Sequence, residues 1–240
     1  MTRKLYNIGM VAKKLDVSIE TLRRWDKKGV LRSIRFTKTG NRYYEKRKID
    51  LFLKDVEAIG IEWVTKYNPI EVDKSLHCIT RDQFQTRLER FQNELFTLIQ
   101  KDFASLIVAI TGEIGNNSFD HNIGMWHDVS GVFFGYSIEK RKIIIADRGQ
   151  GLFQTLKRVK PDMQSEMEAI HIAFTEIITG RAPEKRGNGL KFVKNIVETQ
   201  PIELFFQSKN AYTILKQDMK NFSIKKNEEA IQGCLSIITF

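Results

Sequence analysis

The apolar positions of the chain fall first into two short helical stripes and later into alternating, strand-like runs. Ile8, Val11, Ala12 and Leu15 recur at helical spacing. Asp16-Val17 forms a turn, and Ser18 is suited to cap a second helix whose inner stripe is Leu22 and Trp25. Gly29 is suited to stop that helix. Leu31 to Tyr44 reads as strand, Gly40-Asn41 turn and strand, and Ile49, Phe52 and Leu53 belong to a closing helix. Residues 55–80 break the periodicity at Ile59-Gly60-Ile61 and Asn68-Pro69-Ile70 and read as a connector. From Arg81, a long helix carries Phe84, Leu88, Phe91, Leu95 and Leu98 at alternating four and three spacing. A helix over 102–122 follows, with Leu106, Ile107, Ile110 and Ile114 on its apolar side. Gly131 to Ile138 and Lys142 to Ala146 predict a hairpin, and Met163 to Ile178 a helix. Leu190 to Glu198 predicts another helix, and Glu203 to Gln207 and Tyr212 to Lys216 two strands. Residues 221–240 stay unassigned, with Cys234 to Phe240 a candidate strand.

Charge divides the chain differently. Residues 1–54 hold 16 Lys and Arg against 5 Asp and Glu, so the whole excess of +10 sits in the first quarter. A short basic segment of this kind attracts a polyanion, and DNA is the commonest for a folded domain. The longest candidate for a spanning segment, Ala104 to Ile110, is too short to cross a bilayer, and no membrane association is expected. The start, Met-Thr-Arg-Lys, leads into an amphipathic pattern, unlike a signal peptide. Cys78 and Cys234 are isolated, which predicts free thiols and a cytoplasmic location. The four histidines lack metal-ligand spacing, so no zinc site is expected.

Two short helices joined by a tight turn, the second strongly basic, form a helix-turn-helix signature, and the segment after Gly29 supplies a wing. Ile8-Gly9, Val11-Ala12, Val17-Ser18, Thr21-Leu22-Arg23, Trp25 and Gly40-x-Arg42-x-Tyr44 carry a resemblance to the winged helix-turn-helix domain of the MerR group over 1–54. The resemblance implies that Thr21, Arg23, Arg24 and Lys28 stand in or beside the major groove. Arg35, Lys38, Arg42 and Tyr43 would touch the backbone or minor groove. Trp25 and Tyr44 read as core residues.

Three later segments carry candidate chemistry. Glu113, Asn117 and His121 are four residues apart, on one face of a helix. Asp147-Arg-Gly149-Gln-Gly151 directly follows the apolar run Ile143 to Ala146. A carboxylate buried there can accept from the exocyclic amine of adenine, and the glycines let the backbone pass close to a ligand. Arg186-Gly187-Asn-Gly189-Leu190-Lys191 opens a helix, whose N-terminal amides favour anions. In this order the three segments resemble the GHKL ATPases, the group of gyrase, histidine kinases and MutL. The Glu-x-x-x-Asn-x-x-x-His spacing looks most like the anti-sigma-factor serine kinases. The ATP-binding domain would span 81–220.

The resemblance implies an α+β chain: a winged helix-turn-helix followed by an α/β sandwich, its mixed sheet covered by helices. It implies ATP and Mg²⁺ as cofactors. Asn117 would hold Mg²⁺, Glu113 would act as general base, and His121 would lie near the phosphates or support the helix end. Asp147, Gly149 and Gly151 would take adenine. Lys185, Arg186, Gly187, Gly189 and Leu190 would line the phosphates. MerR-type proteins dimerise through a helix after the DNA-binding domain, whereas GHKL domains use a helix there to cover their sheet. The Phe84 to Leu98 stripe therefore reads as dimer seam or as core, with core preferred. A homodimer is expected in either case, because two winged domains give avidity on a paired DNA site. Two functions follow: a transcriptional regulator controlled by ATP binding or hydrolysis, or a serine kinase acting on a partner protein.

Overall fold

The computed structural model describes residues 4–15, 17–37, 40–53, 55–176, 189–219 and 221–240. The chain divides into two compact units, 1–59 and 60–240. Residues 60–80, expected as connector, thus belong to the second unit.

In the first unit, strand β1 (Leu5–Asn7) leads into α1 (Ile8–Leu15), then α2 (Ile19–Lys28), β2 (Tyr43–Glu45) and α3 (Lys46–Phe52). The Asn7 side chain accepts the Met10 amide at 2.9 Å and starts α1. Ser18 Oγ accepts the Thr21 amide at 3.0 Å and caps α2, and Gly29 ends α2 in a left-handed conformation. Val11, Leu22, Leu31, Tyr44 and Ile49 form the core, with Trp25 packed against them. The wing departs from expectation. Among the described residues its two arms share one bridge, Ile34 to Tyr43, and β2 pairs with β1. A short basic loop has little apolar surface with which to hold a free hairpin.

The second unit is built on a seven-stranded sheet. Its strands are β3 (His77–Cys78), β4 (Val132–Ser137), β5 (Lys142–Asp147), β6 (Glu203–Ser208), β7 (Ala211–Lys216), β8 (Ile224–Lys226) and β9 (Cys234–Thr239). Their order is β3-β4-β5-β9-β6-β7-β8. The α+β class holds. Every described pairing in this sheet is antiparallel, however, which corrects the expected mixed sheet. The reason is β9. The unassigned tail runs back between β5 and β6 and pairs antiparallel with both.

Helices α5 (Arg81–Leu98), α6 (Lys101–Asn122), α7 (Gly151–Lys157), α8 (Glu166–Thr175) and α9 (Gly189–Thr199) complete the unit. Phe84, Leu88, Phe91 and Leu95 of α5 are buried in the core that also holds Phe134, Ile143 and Ile145 of the sheet. The heptad stripe therefore serves the chain's own core, and only Leu98 is exposed. The helix expected over 163–178 starts later, because Ser165 caps it by accepting the Glu168 amide. The alternate residues Phe133 and Ile144 face the other side of the sheet. There they meet Gly60 and Trp63, from the second half of α4 (Val56–Thr65). Among the described residues, no helix is long and apolar enough to cross a membrane.

Candidate functional site

Helix α6 presents Glu113 and Asn117 one turn apart, and Asn117 Nδ2 donates to Glu113 Oε1 at 3.2 Å. Gly189, the first residue of α9, lies directly on this pair. A Cβ at Gly189 would overlap Glu113 Oε1 and stand 3.0 Å from Asn117 Nδ2. The first and third sequence segments, more than 70 residues apart, thus meet. Leu190 packs against the core. Lys185, Arg186 and Gly187 lie outside the described residues. His121 continues the α6 face. Burial, and then the nearby Arg158 charge, push its pKa down, so the ring is neutral at pH 7 and adds no positive charge.

Asp147 ends β5 and is buried. Ser118 Oγ donates to its Oδ2 at 2.9 Å. Its Oδ1 accepts from Asn122 Nδ2 at 3.2 Å and from the Gly149 amide at 2.9 Å. The Cys234 amide of β9 is a fourth donor. Burial pushes the carboxyl up to about 6 against the pull of these donors, so it remains ionised at pH 7. Four donors match the acceptor capacity of a carboxylate. Gly149 has a role the sequence did not suggest, since a Cβ there would overlap the Asn122 carboxamide. Gly151 starts α7 beside Ser208 and Lys209, and Lys209 Nζ donates to the Gly149 carbonyl at 3.1 Å.

Sequence reasoning missed Ser118, Asn122, Arg148 and Gly233. Ser118 and Asn122 are four apart on the helix already singled out, so their spacing was a usable signal. Arg148 occupies the variable position of the Asp-x-Gly-x-Gly pattern and carried no such signal. Its guanidinium is fully buried and uses all five N–H groups. Nε donates to Asp128 Oδ1 at 2.8 Å and Nη2 pairs with Asp128 Oδ2. Nη1 donates to the Trp63 and Lys66 carbonyls at 2.6 and 2.9 Å, and Nη2 to Tyr67 at 2.9 Å. Arg148 thereby satisfies carbonyls at the C-terminal end of α4. The same guanidinium holds the Asp128 carboxyl below the usual carboxylate range.

In the first unit, Arg23, Arg24 and Lys28 are exposed on α2, and Arg35 is exposed beyond it. Arg23 pairs with Glu20 at 3.3 Å, and Thr21 is engaged with the Ser18 cap. Glu20, Arg23, Arg24, Asp26, Lys27, Arg35 and Arg42 line one groove, five cations against two carboxylates. Tyr43 leans on Phe36, with ring centroids 5.5 Å apart. Lys38 lies outside the described residues. Asp26, not singled out from sequence, ties this surface together. It accepts the Ser33 amide and hydroxyl, each at 2.8 Å, and Arg42 Nε at 2.8 Å, with Arg35 at 3.6 Å. Arg42 is therefore also a structural strut.

Residues 7–44 match the MerR family regulatory protein. The first unit carries a MerR-type DNA-binding domain. Such a domain implies DNA binding and suggests a transcriptional regulator. No curated protein matches the chain.

Asp26 gives this domain a testable weakness. Burial raises the carboxyl, but the Ser33 amide, Arg42 and the Ser33 hydroxyl outweigh it and hold it at about 2. A lowered carboxyl pKa contributes stability above the unfolded value of 3.8, and that stability is lost as pH falls toward about 2. Asp26→Ala is expected to cost ~2 kcal/mol at pH 7, the scale of hydrogen bonds to a charged group. It should also flatten acid denaturation of the domain between about pH 4 and 2. Thermal melts at pH 7 and 3 check this, and equal losses at both pH values would contradict it.

Proposed function

We propose that this chain is a DNA-binding regulator whose hold on DNA is set by ATP bound in the second unit. The observation that carries the reading is convergence. Three separated segments meet, with Gly189 on Glu113 and Asn117, and Asp147 on Ser118 and Asn122. They do so in the same chain as a MerR-type domain.

The donor set suits a magnesium nucleotide at one end. Asn117 offers a carboxamide oxygen for Mg²⁺, and Glu113 a carboxylate one turn away. Gly189 lacks the Cβ that would crowd that end, and the start of α9 offers amides to phosphate. At the other end, the ionised Asp147 suits an exocyclic amine. Its four internal donors mean that adenine binds there only by replacing one of them. Bound ATP would supply a large local negative charge, and the chain's residues would orient it. Such a ligand shifts DNA binding only through different affinities for the DNA-competent and DNA-incompetent states. Pairing of two chains in the cytoplasm on a repeated DNA site completes the proposal, with avidity as its support.

Calorimetric titration of Mg-ATP tests the site, with GTP as control. Wild type should bind ATP and reject GTP, and Asp147→Ala should lose at least about tenfold in affinity, a charge-assisted hydrogen bond's worth. A folded wild type that takes up no ATP would end this reading and leave a DNA-binding protein with an interaction domain.

A further inference from the structure

We propose that Asn122 is an internal competitor for the base subsite, a side chain that occupies Asp147 in place of an adenine amine and thereby sets affinity and base selectivity. The inference rests on the ATP reading above. Asn122 is buried at the end of α6. Its Nδ2 carries two hydrogens. One goes to the Ser118 carbonyl at 2.8 Å, and the other to Asp147 Oδ1 at 3.2 Å. Its Oδ1 accepts the Gln150 amide at 3.0 Å. The carboxamide sits against Gly149, where any Cβ would overlap it.

The chemistry of this seat is that of a purine edge. A primary amide and the edge of adenine both present an NH₂ donor beside an acceptor. Asn122 gives its NH₂ to the carboxylate and takes an amide N–H on its oxygen. Adenine offers an exocyclic amine and a ring nitrogen in the same relation. Of the four donors on Asp147, two are backbone amides fixed by the turn and by β9. The Ser118 hydroxyl is held on a short side chain. Asn122 makes a longer contact, at 3.2 Å, than the Ser118 hydroxyl or the Gly149 amide, each at 2.9 Å, and reaches from the last residue of α6, before the Ile123 C-cap. It is the donor that can leave most readily. Guanine presents a carbonyl where adenine has its amine. Bound in adenine's pose, it turns that acceptor toward the Asp147 carboxylate and replaces no donor there, so it gains nothing from the departure of Asn122.

The test compares Mg-ATP and Mg-GTP binding by the full chain as wild type, Asn122→Ala and Asn122→Ser, with circular dichroism to establish folding. Serine keeps a small polar group, should alanine alone unfold the turn. The expected result is ATP affinity raised about tenfold in the variants, the net worth of roughly one hydrogen bond, with GTP unchanged. Folded variants that bind ATP no more tightly than wild type would overturn the competitor and leave the ATP reading standing. Equal gains for ATP and GTP would also overturn it, because they mean a loosened pocket. ATP binding by none of the three proteins would overturn both.

Discussion

Arg148→Ala is expected to destabilise the second unit by ~3 kcal/mol or more, near the lower end of the range for breaking a buried ion pair. The guanidinium is wholly buried, and all five of its N–H groups have acceptors. Removing it strands the Trp63, Lys66 and Tyr67 carbonyls and deprives Trp63 of a cation 5.8 Å from its ring centroid. Asp128 is 29 % exposed and can rehydrate, which keeps the loss from the top of that range. Arg148→Lys keeps the charge but offers three donors in place of five, so an intermediate loss is expected. Urea denaturation followed by tryptophan fluorescence measures both. An alanine variant within about 0.5 kcal/mol of wild type would show that water replaces the guanidinium, as at an ordinary surface position.

The second large effect is expected at Gly233→Ala. Gly233 has φ +76 and sits just before β9. A Cβ there would overlap the Asp147 carbonyl and carboxylate and stand 2.5 Å from the Gly149 amide. Two of those three neighbours are backbone, and the third, the Asp147 carboxylate, is pinned by its donors, so none swings aside as a free side-chain tip would. Left-handed strain alone costs ~1–2 kcal/mol. Overpacking adds ~1–3 kcal/mol. The variant should therefore lose ~2–5 kcal/mol in stability, and any Mg-ATP binding with it, because the Cys234 donor to Asp147 moves too. A melting temperature equal to wild type would refute the close approach of the tail to the Asp147 turn.

Gly233 also shows where the sequence was opaque. The helices of the first unit were legible because their signals are local: the Ser18 cap, the Gly29 stop, and stripes that meet in one small core. The long helix from Arg81 was equally legible from Phe84, Leu88, Phe91 and Leu95. The placement of β9 was not, because a strand's partners are non-local and Cys234 to Phe240 reads the same at an edge or a centre. The pairing of the wing's second arm was opaque for a similar reason. Residues 31–44 have turn chemistry, but Asp26 on α2 gathers Ser33 and Arg42, and β2 pairs with β1. At the candidate site, the spacing of Glu113 and Asn117 and the glycine at 189 pointed to residues that the fold brings together. The spacing of Ser118 and Asn122 places them on one face of the same helix, but which group that face meets is set by the non-local approach of Asp147.

The most direct test measures affinity for a duplex DNA, selected on the full chain, by fluorescence anisotropy with and without Mg-ATP, for wild type and Asp147→Ala. A shift of at least about fivefold is expected for wild type, the lower bound of ordinary allosteric coupling, and none for the variant. Equal DNA affinity with and without Mg-ATP in wild type would contradict it.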